Sequence, residues 1–286
     1  MSILEKFHYQ ITGPADAPKL VFLHGVMGFA ANFRRIARAF EEDFQVLVYD
    51  QRGHGRSFHA CPGGYSAENY ASDLRQILEA LGWKKTVLVG HSMGGRVALH
   101  FASQYPEMVT RLVIEDIGPS MHPTGASLVL RMLDAVPVPF SDKRAAKQWF
   151  DTDFLRLFKD ERQKEGLAAY LYANITENEK KEAIWRFSVA GIRESVANGR
   201  EFERWDEVKA LALPTLLVHG EFSKDLPRAL FEEVLCANQT IEGVEIKNSG
   251  HWVHSDQPEV FIRVLKLFFA GEPQVTSEST EVVTCT

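Results

Sequence analysis

Six short runs of almost uninterrupted apolar residues recur along the chain. They lack the alternation of apolar and polar positions that marks a strand with one face in water. Runs of this kind are typical of strands buried on both faces, as in a parallel sheet. The predicted strands cover residues 19–25, 44–50, 86–90, 111–116, 214–220 and 244–250.

Segments with helical periodicity lie between these strands. They cover residues 31–40, 66–82, 92–106 and 226–238, and a strongly apolar final helix follows at 258–270. This alternation of strands with helices predicts an open, doubly wound α/β sheet whose strands are mostly parallel.

The alternation stops between residues 119 and 208, where no run is typical of a strand. Amphipathic patterns there, such as DKRAAKQWFDTDFLRLFKD (142–160), predict a helical cap inserted into the sheet domain. We therefore expect a core of residues 1–118 and 209–272 and a cap of residues 119–208. Residues 273–286 are polar and rich in Ser, Thr and Glu, which predicts a disordered tail.

The composition excludes several classes of function. The chain has 286 residues, of which 45% are hydrophobic and 24% charged, as in an ordinary globular protein. A net charge of −6, with scattered basic residues, provides no electrostatic footprint for nucleic acid. No window approaches the ~18 apolar residues that a membrane span requires. We expect neither a nucleic-acid partner nor a membrane span.

The cysteines and the first residues bear on the cellular compartment. Cys61, Cys236 and Cys285 are far apart in the sequence and cannot all pair internally, which argues against a secreted disulfide scaffold. Glu5 and Lys6 interrupt the apolar run that a signal peptide would need. These features predict a cytoplasmic protein.

The segment VLVGHSMGGRV (87–97) carries the strongest chemical signal. It fits G-x-S-x-G through Gly90, Ser92 and Gly94, with a predicted strand before it and a predicted helix after it. The glycines are needed because the serine occupies a sharp, strained turn in which flanking Cβ atoms would collide. The start of the helix also directs amide N–H groups at the reacting oxygen. We predict that Ser92 is a nucleophile.

A second turn, in FLHGVMG (22–28), follows the first predicted strand. It is expected to place the backbone N–H of Val26 opposite that of Met93. Two such donors form an oxyanion hole for a tetrahedral intermediate. We interpret His24, in the same turn, as a residue that organises the loop.

Ten histidines compete for the role of general base. His251 follows a short strand and precedes the final helix, where the base lies in hydrolases with the chain order Ser, acid, His. Gly250 allows this loop to fold tightly over the nucleophile. His254 is the neighbouring alternative, whereas His54 and His91 have structural interpretations. No histidine pair has metal-ligand spacing with a third ligand, so we predict no metal and no cofactor.

The acid is missing from its usual place directly after His219-Gly220. Phe222 and Ser223 occupy that place, and Asp225 comes two positions late. The sequence therefore leaves the acid open. The candidates are Asp116, Asp225, Glu115 and, less favoured, Glu221, and an arrangement without a carboxylate is a further alternative.

The motifs FLHGVMG, YDQRGHGRS (49–57), VGHSMGGRVAL (89–99) and GHWVH (250–254) together resemble the α/β-hydrolase superfamily over roughly residues 10–270. Finer features are similar to YbfF-type short-chain esterases, namely VIEDIGP (113–119), WRFSV (185–189) and GHWVHSDQP (250–258). Haloalkane dehalogenases and soluble epoxide hydrolases share the fold but use an aspartate nucleophile, which Ser92 does not match.

The resemblance implies a source for the acid. YbfF-type esterases have a serine after the HG turn, matched by Ser223, and take their acid from the strand after the nucleophile helix, matched by Asp116. That strand should neighbour the nucleophile strand, so its carboxyl end should open beside Ser92. Adjacent residues of a strand point to opposite faces, so only one of Glu115 and Asp116 is expected to reach the site. Ser223 would add a hydrogen bond to Asp116 or His251.

What the resemblance implies is a serine carboxylesterase that cleaves small esters or thioesters through an acyl-enzyme. We expect a monomer or a homodimer. The expected pocket residues are Met27, His91, Trp185 and Trp252. Aromatic residues of the cap either line an acyl pocket or pack the cap onto the core; they are Trp149, Phe150, Phe154, Phe158, Trp185 and Phe187. A C–C bond hydrolase, a lactonase, a perhydrolase and a non-catalytic small-molecule receptor are the alternatives.

Overall fold

The computed structural model describes residues 2–120 and 127–285 in full, and residues 123–126 by their backbone alone. The strands are β1 Tyr9–Thr12, β2 Lys19–Leu23, β3 Gln45–Tyr49, β4 Thr86–His91, β5 Val109–Glu115, β6 Ile175–Glu177, β7 Ala183–Trp185, β8 Thr215–Gly220, β9 Ile241–Ile246 and β10 Thr280–Val283.

The helices alternate with most of these strands. The α-helices are α1 Arg34–Arg38, α2 Ala67–Ala80, α3 Met93–Gln104, α4 Pro123–Ala135, α5 Lys143–Trp149, α6 Leu155–Leu157, α7 Lys164–Tyr172, α8 Val189–Glu201, α9 Trp205–Ala210, α10 Arg228–Ala237, α11 Val253–Asp256 and α12 Pro258–Ala270. Short 3₁₀ helices cover Ile3–Lys6, Ala30–Phe33 and Pro106–Met108, and a π-helical turn covers Phe150–Phe154.

Eight strands form one sheet in the order β1-β3-β2-β4-β5-β8-β9-β10. The neighbours from β3 to β9 pair in parallel, whereas β1 and β10 pair antiparallel at the two edges. Strands β4 and β8 are buried at every position, which explains why their sequences are uninterrupted apolar runs. The prediction of a doubly wound, mostly parallel α/β sheet is confirmed.

Apolar layers cover both faces of this sheet. On one face, side chains of α2, α3 and α10 pack against the strands, with Leu74, Phe101 and Phe231 essentially inaccessible. On the other face, α1 and α12 pack through Ile36 and Phe261. Burial of the sheet on both faces fixes the register of every strand, and therefore the position of each strand end.

The chain between β5 and β8 carries a second apolar core of its own. Most of its members lie between α4 and α8, including Phe150, Phe154 and Trp185, and Met27 joins them from the turn after β2. It also contains the antiparallel pair β6 and β7, in register from Ile175 opposite Trp185. The expectation that this segment lacks strands is wrong, since strands of three residues are too short to produce a recognisable apolar run.

The C-terminal residues differ from the predicted disordered tail. Strand β10 pairs antiparallel with β9, and Val283 is buried against the core. An edge strand with one exposed face has no apolar run, so composition alone could not reveal it. Cys236 and Cys285 form a disulfide, and Cys61 is exposed and free. The cysteine count therefore no longer supports a reducing compartment.

No helix within the described ranges is long and apolar enough to cross a membrane.

The sheet brings the predicted site residues to one edge. Ser92 directly follows β4, Asp116 directly follows β5, Ser223 and Asp225 follow β8, and His251 follows β9. The carboxyl ends of parallel strands open onto the same crevice, which is where ligands of open α/β sheets bind.

Candidate active site

Ser92 lies on a strained turn between β4 and α3. Its backbone has φ 53° and ψ −119°, a conformation that a non-glycine residue adopts only when its surroundings impose it. The Ser92 amide donates a hydrogen bond to the carbonyl of Glu115, 3.0 Å away, which ties the turn to the end of the neighbouring strand. This geometry is that of a nucleophile elbow.

Two glycines permit the close contacts of this turn. A Cβ atom on Gly90 would lie 2.3 Å from the carbonyl oxygen of Gly94, and one on Gly94 would lie 2.3 Å from that of Leu23. Backbone atoms cannot move aside as a flexible side chain can, so any larger residue at either position would displace the turn. Glycine at both positions is a steric requirement.

His251 forms hydrogen bonds through both ring nitrogens. Its Nε2 lies 2.9 Å from Ser92 Oγ, and its Nδ1 lies 2.8 Å from Asp116 Oδ2. A carboxylate only accepts, so Nδ1 carries the proton, and Nε2 of the neutral ring is free to accept the hydroxyl proton of Ser92. The arrangement is that of a nucleophile, a base and an orienting acid.

Asp116 is fully buried, and its carboxylate is held by several donors. Oδ1 accepts the amide N–H of Gly220 at 2.8 Å, and Oδ2 accepts the hydroxyl of Ser223 at 2.5 Å as well as Nδ1–H of His251. The Asp116 amide in turn donates to the Val218 carbonyl at 2.8 Å. A buried carboxylate requires such donors. Ser223, which occupies the usual position of the acid after β8, is one of the donors to Asp116.

Glu115 points away from the nucleophile, as strand alternation predicts. Its Oε1 accepts both the backbone N–H of His254 and Nδ1–H of the same residue, each at 2.8 Å. Both side chains are buried. Glu115 therefore fixes the start of α11, the helix that follows His251, and its partner is His254.

Several charges act on the imidazole of His251. Burial alone would lower its pKa, but the negative charges of Asp225, Asp116 and Glu115 outweigh it and raise that pKa to about 9. Asp225 contributes from 3.6 Å, measured between its Oδ2 and Nδ1 of His251. The site therefore favours the imidazolium form, which is the form that results when the ring takes a proton from Ser92.

His91 supports the loop that carries His251. Its Nε2–H donates to the backbone carbonyl of His251 at 2.9 Å, and the two rings lie 4.7 Å apart. Burial, together with the neighbouring imidazoles of His251 and His254, lowers the pKa of His91 well below its usual value. A neutral His91 therefore adds no positive charge beside the base.

The predicted oxyanion donors flank Ser92. Met93 is the first residue of α3, so its amide has no partner within the helix. Val26 lies in a turn closed by the bond from the Gly28 amide to the Gly25 carbonyl, at 3.0 Å. Val26 and Met93 line the same cavity as Ser92. Their roles as donors stay a prediction.

A cavity opens above Ser92 and is lined mostly by apolar side chains. Met27, His91 and Trp252 line it, as expected, whereas Trp185 does not and instead packs inside the cap. The cavity wall that α4 forms could not be predicted from the sequence, because the short apolar stretch in α4 matches no motif. That wall consists of Leu128, Val129 and Met132.

The aromatic residues of the cap do not form the acyl pocket. Among the described lining residues none is Trp149, Phe150, Phe154, Phe158, Trp185 or Phe187. Five of them are buried members of the apolar core between β5 and β8, and Trp149 is partly buried and packs against it. Of the two alternatives, the structure favours packing over an acyl pocket, and the packing contacts lie within the segment between β5 and β8.

One group of buried side chains has the composition of a metal site. Ligand atoms of His91, Glu115 and His254 lie within 4.8 Å of one another, which their scattered positions in the sequence do not reveal. Glu115 already accepts two hydrogen bonds from His254, and His91 donates to the carbonyl of His251. We interpret the group as a hydrogen-bonded support behind His251.

Comparisons with known proteins agree with this geometry. The family model described as "alpha/beta hydrolase fold" matches residues 18–258. A putative esterase/lipase of Haemophilus influenzae is 29% identical over 93% of this chain and 88% of its own. The mouse sn-1-specific diacylglycerol lipase ABHD11 is 31% identical over 91% of this chain and 83% of its own. The solved structure of a marine microorganism esterase is 26% identical, with a TM-score of 0.79 over 92% of this chain and 99% of its own.

The charges around His251 lead to a direct prediction. Its imidazole should titrate near pH 9 rather than near the usual value of about 6.5, because the surrounding carboxylates stabilise the protonated ring. Long-range ¹H–¹⁵N NMR of the labelled protein, with His251 assigned from a His251→Gln variant, measures this midpoint. A midpoint below pH 7 would contradict the electrostatic account of the site.

Proposed function

The chain belongs to the α/β-hydrolase family, and on this premise we propose that it is a serine hydrolase of the carboxylesterase type. The observation that carries the proposal is the continuous hydrogen-bond chain from Ser92 through His251 to Asp116, with distances of 2.9 Å and 2.8 Å. Each member has the chemistry that its place in an acyl-transfer triad requires.

In the first half of the reaction, Ser92 Oγ attacks the carbonyl carbon of the ester while Nε2 of His251 takes its proton. Asp116 keeps the ring in the correct tautomer and stabilises the imidazolium. The amides of Val26 and Met93 donate to the oxyanion, and a donor of this kind contributes about 3 kcal/mol. The intermediate then collapses, the C–O bond to the alcohol breaks, and the imidazolium protonates the leaving oxygen.

In the second half, water attacks the acyl carbon of the ester that Ser92 now carries. His251 takes a proton from this water and returns it to Ser92 Oγ as the acid leaves. The same base serves both steps, so no cofactor is needed for the chemistry.

Two observations support the proposed substrate class, one from the cavity and one from the relatives. The wall above Ser92 is largely apolar and includes Met27, Val129 and Met132, which suits an aliphatic acyl chain. Two of the relatives are named as a putative esterase/lipase and an sn-1-specific diacylglycerol lipase, and both names point to carboxylic esters. We propose small carboxylic esters, or the corresponding thioesters, as substrates of a monomeric or homodimeric enzyme.

Three other reactions use the same nucleophile: hydrolysis of C–C bonds, hydrolysis of lactones and perhydrolysis. A panel of esters, thioesters, lactones and C–C substrates, each assayed with and without a fluorophosphonate, separates these from the proposed activity. A small-molecule receptor would bind such compounds without turnover.

Replacement of the nucleophile gives the first test. Ser92→Ala should lower kcat for p-nitrophenyl butyrate by about 10⁶, because no other group can form the acyl-enzyme. Circular dichroism and thermal unfolding should match those of the parent chain. The control is Ser141→Ala, which removes the hydroxyl of an exposed serine and should leave turnover unchanged. Retention of more than about a tenth of the activity by Ser92→Ala would overturn the assignment.

Replacement of the acid gives the second test. Asp116→Asn should lower kcat by about 10⁴, since the amide neither fixes the tautomer of His251 nor stabilises its protonated form. The comparison variant is Asp225→Asn, which leaves the bond between Asp116 and His251 intact. If Asp225→Asn is crippled and Asp116→Asn is active, the acid is Asp225 and the proposed triad is wrong.

A further inference from the structure

Two carboxylates approach the same nitrogen of His251. Asp116 Oδ2 lies 2.8 Å from Nδ1, and Asp225 Oδ2 lies 3.6 Å from it. The first distance is a hydrogen bond, whereas the second is an ion-pair contact that becomes attractive once the ring is protonated. An acyl-transfer triad requires only one carboxylate, so the second one calls for a function.

The loop after β8 places Asp225 at this point. The amides of Asp225 and Leu226 donate to Ser223 Oγ at 3.2 Å and 3.1 Å, while the same hydroxyl donates to Asp116. Ser223 Oγ therefore links the carboxylate of Asp116 to the backbone amides of Asp225 and Leu226. This fixes the backbone of Asp225 relative to the acid that holds His251.

The carboxylate of Asp225 is otherwise uncommitted. In the ranges that the structure describes, no group donates a hydrogen bond to it, and its ion-pair contact there is with His251. Its side chain is 17% exposed and lines the cavity above Ser92. A carboxylate that lines a largely apolar cavity without a donor exerts a strong field on the nearest titratable group.

We propose that Asp225 is a positioning residue that stabilises the imidazolium of His251 from the cavity side, as a second carboxylate beside the triad acid. The proposal rests on the function proposed above. Asp116 accepts the hydrogen bond from Nδ1–H of His251 and fixes the tautomer of the ring. Asp225 contributes only electrostatically, without a hydrogen bond.

Other charged or titratable groups face His251 from each neighbouring element. Glu115 lies at the end of β5 and is paired with His254 of α11, and His91 at the end of β4 stays neutral. Asp256 of α11 accepts the amide of Gly250. Within the described residues, Asp225 lines the cavity and has no partner other than His251. Its charge can therefore be removed while the hydrogen bonds of the other groups stay intact.

The consequence is a change in pH dependence with a defined sign. The base must be unprotonated at the start of the reaction, so a carboxylate that favours the imidazolium moves the acidic limb of kcat/KM to higher pH. It also makes the neutral ring a stronger base. Loss of Asp225 should therefore raise activity on the acidic side of the profile and lower it on the alkaline side.

The test compares kcat/KM for p-nitrophenyl butyrate between pH 5.5 and about 10 in three chains. The parent should show a midpoint near 9, and Asp225→Asn a midpoint lower by about one to two pH units. The two profiles should cross, with the variant about threefold to tenfold more active at pH 7 and less active than the parent at the alkaline plateau. Asp43→Asn removes one exposed carboxylate far from the site and should reproduce the parent profile.

An NMR titration of His251 distinguishes an electrostatic role of Asp225 from a merely structural one. The imidazole midpoint of His251 should fall by the same amount in Asp225→Asn, whether or not the protein hydrolyses the ester. An unchanged midpoint, or a loss of activity by the same factor at every pH, would overturn the role of Asp225. If the midpoint shifts but no variant or parent turns over any ester, the inference about Asp225 stands and the proposed function fails.

Discussion

The hydrogen bond between the carboxylate of Asp116 and Nδ1 of His251 is the contact on which the site depends. It joins the end of β5 to the loop after β9, across 135 residues of sequence. Because Asp116 is completely buried, its charge is tolerable only with several donors, and the chain supplies them from Gly220, Ser223 and His251. The loops after β8 and β9 are thereby fixed around a single carboxylate.

The acids near this point have separate functions, which follow from the direction in which each side chain leaves the backbone. Glu115 and Asp116 are adjacent, yet one holds the start of α11 through His254 and the other holds His251. Asp225, from the next loop, reaches the same ring without a hydrogen bond. A site with this many carboxylates favours positive charge on the imidazole, which is the charge that develops during acyl transfer.

The inner strands and the turn at Ser92 could be predicted from the sequence, each for its own physical reason. The inner strands are buried on both faces, so their apolar runs reveal them, and the glycines around Ser92 reveal the turn because no other residue fits. The place of the missing acid after β8 is open from the residues alone; the resemblance to YbfF-type esterases points to Asp116, and the common edge at which parallel neighbours end supports it. The edge strand β10, the hairpin β6–β7 and the cavity wall on α4 could not be predicted. Short or half-exposed elements produce no continuous apolar run in the sequence. Trp185 is buried between β5 and β8 by packing contacts that no local sequence pattern encodes.

The proposed mechanism has His251, held by Asp116, activate Ser92 for attack on an acyl carbonyl. Its most direct test is covalent trapping with a fluorophosphonate, followed by intact-mass measurement and peptide mapping. We expect one adduct per chain, on the peptide that contains Ser92, with labelling abolished in His251→Ala although that variant remains folded. An adduct on another residue, or labelling of Ser92 at an undiminished rate without His251, would contradict it.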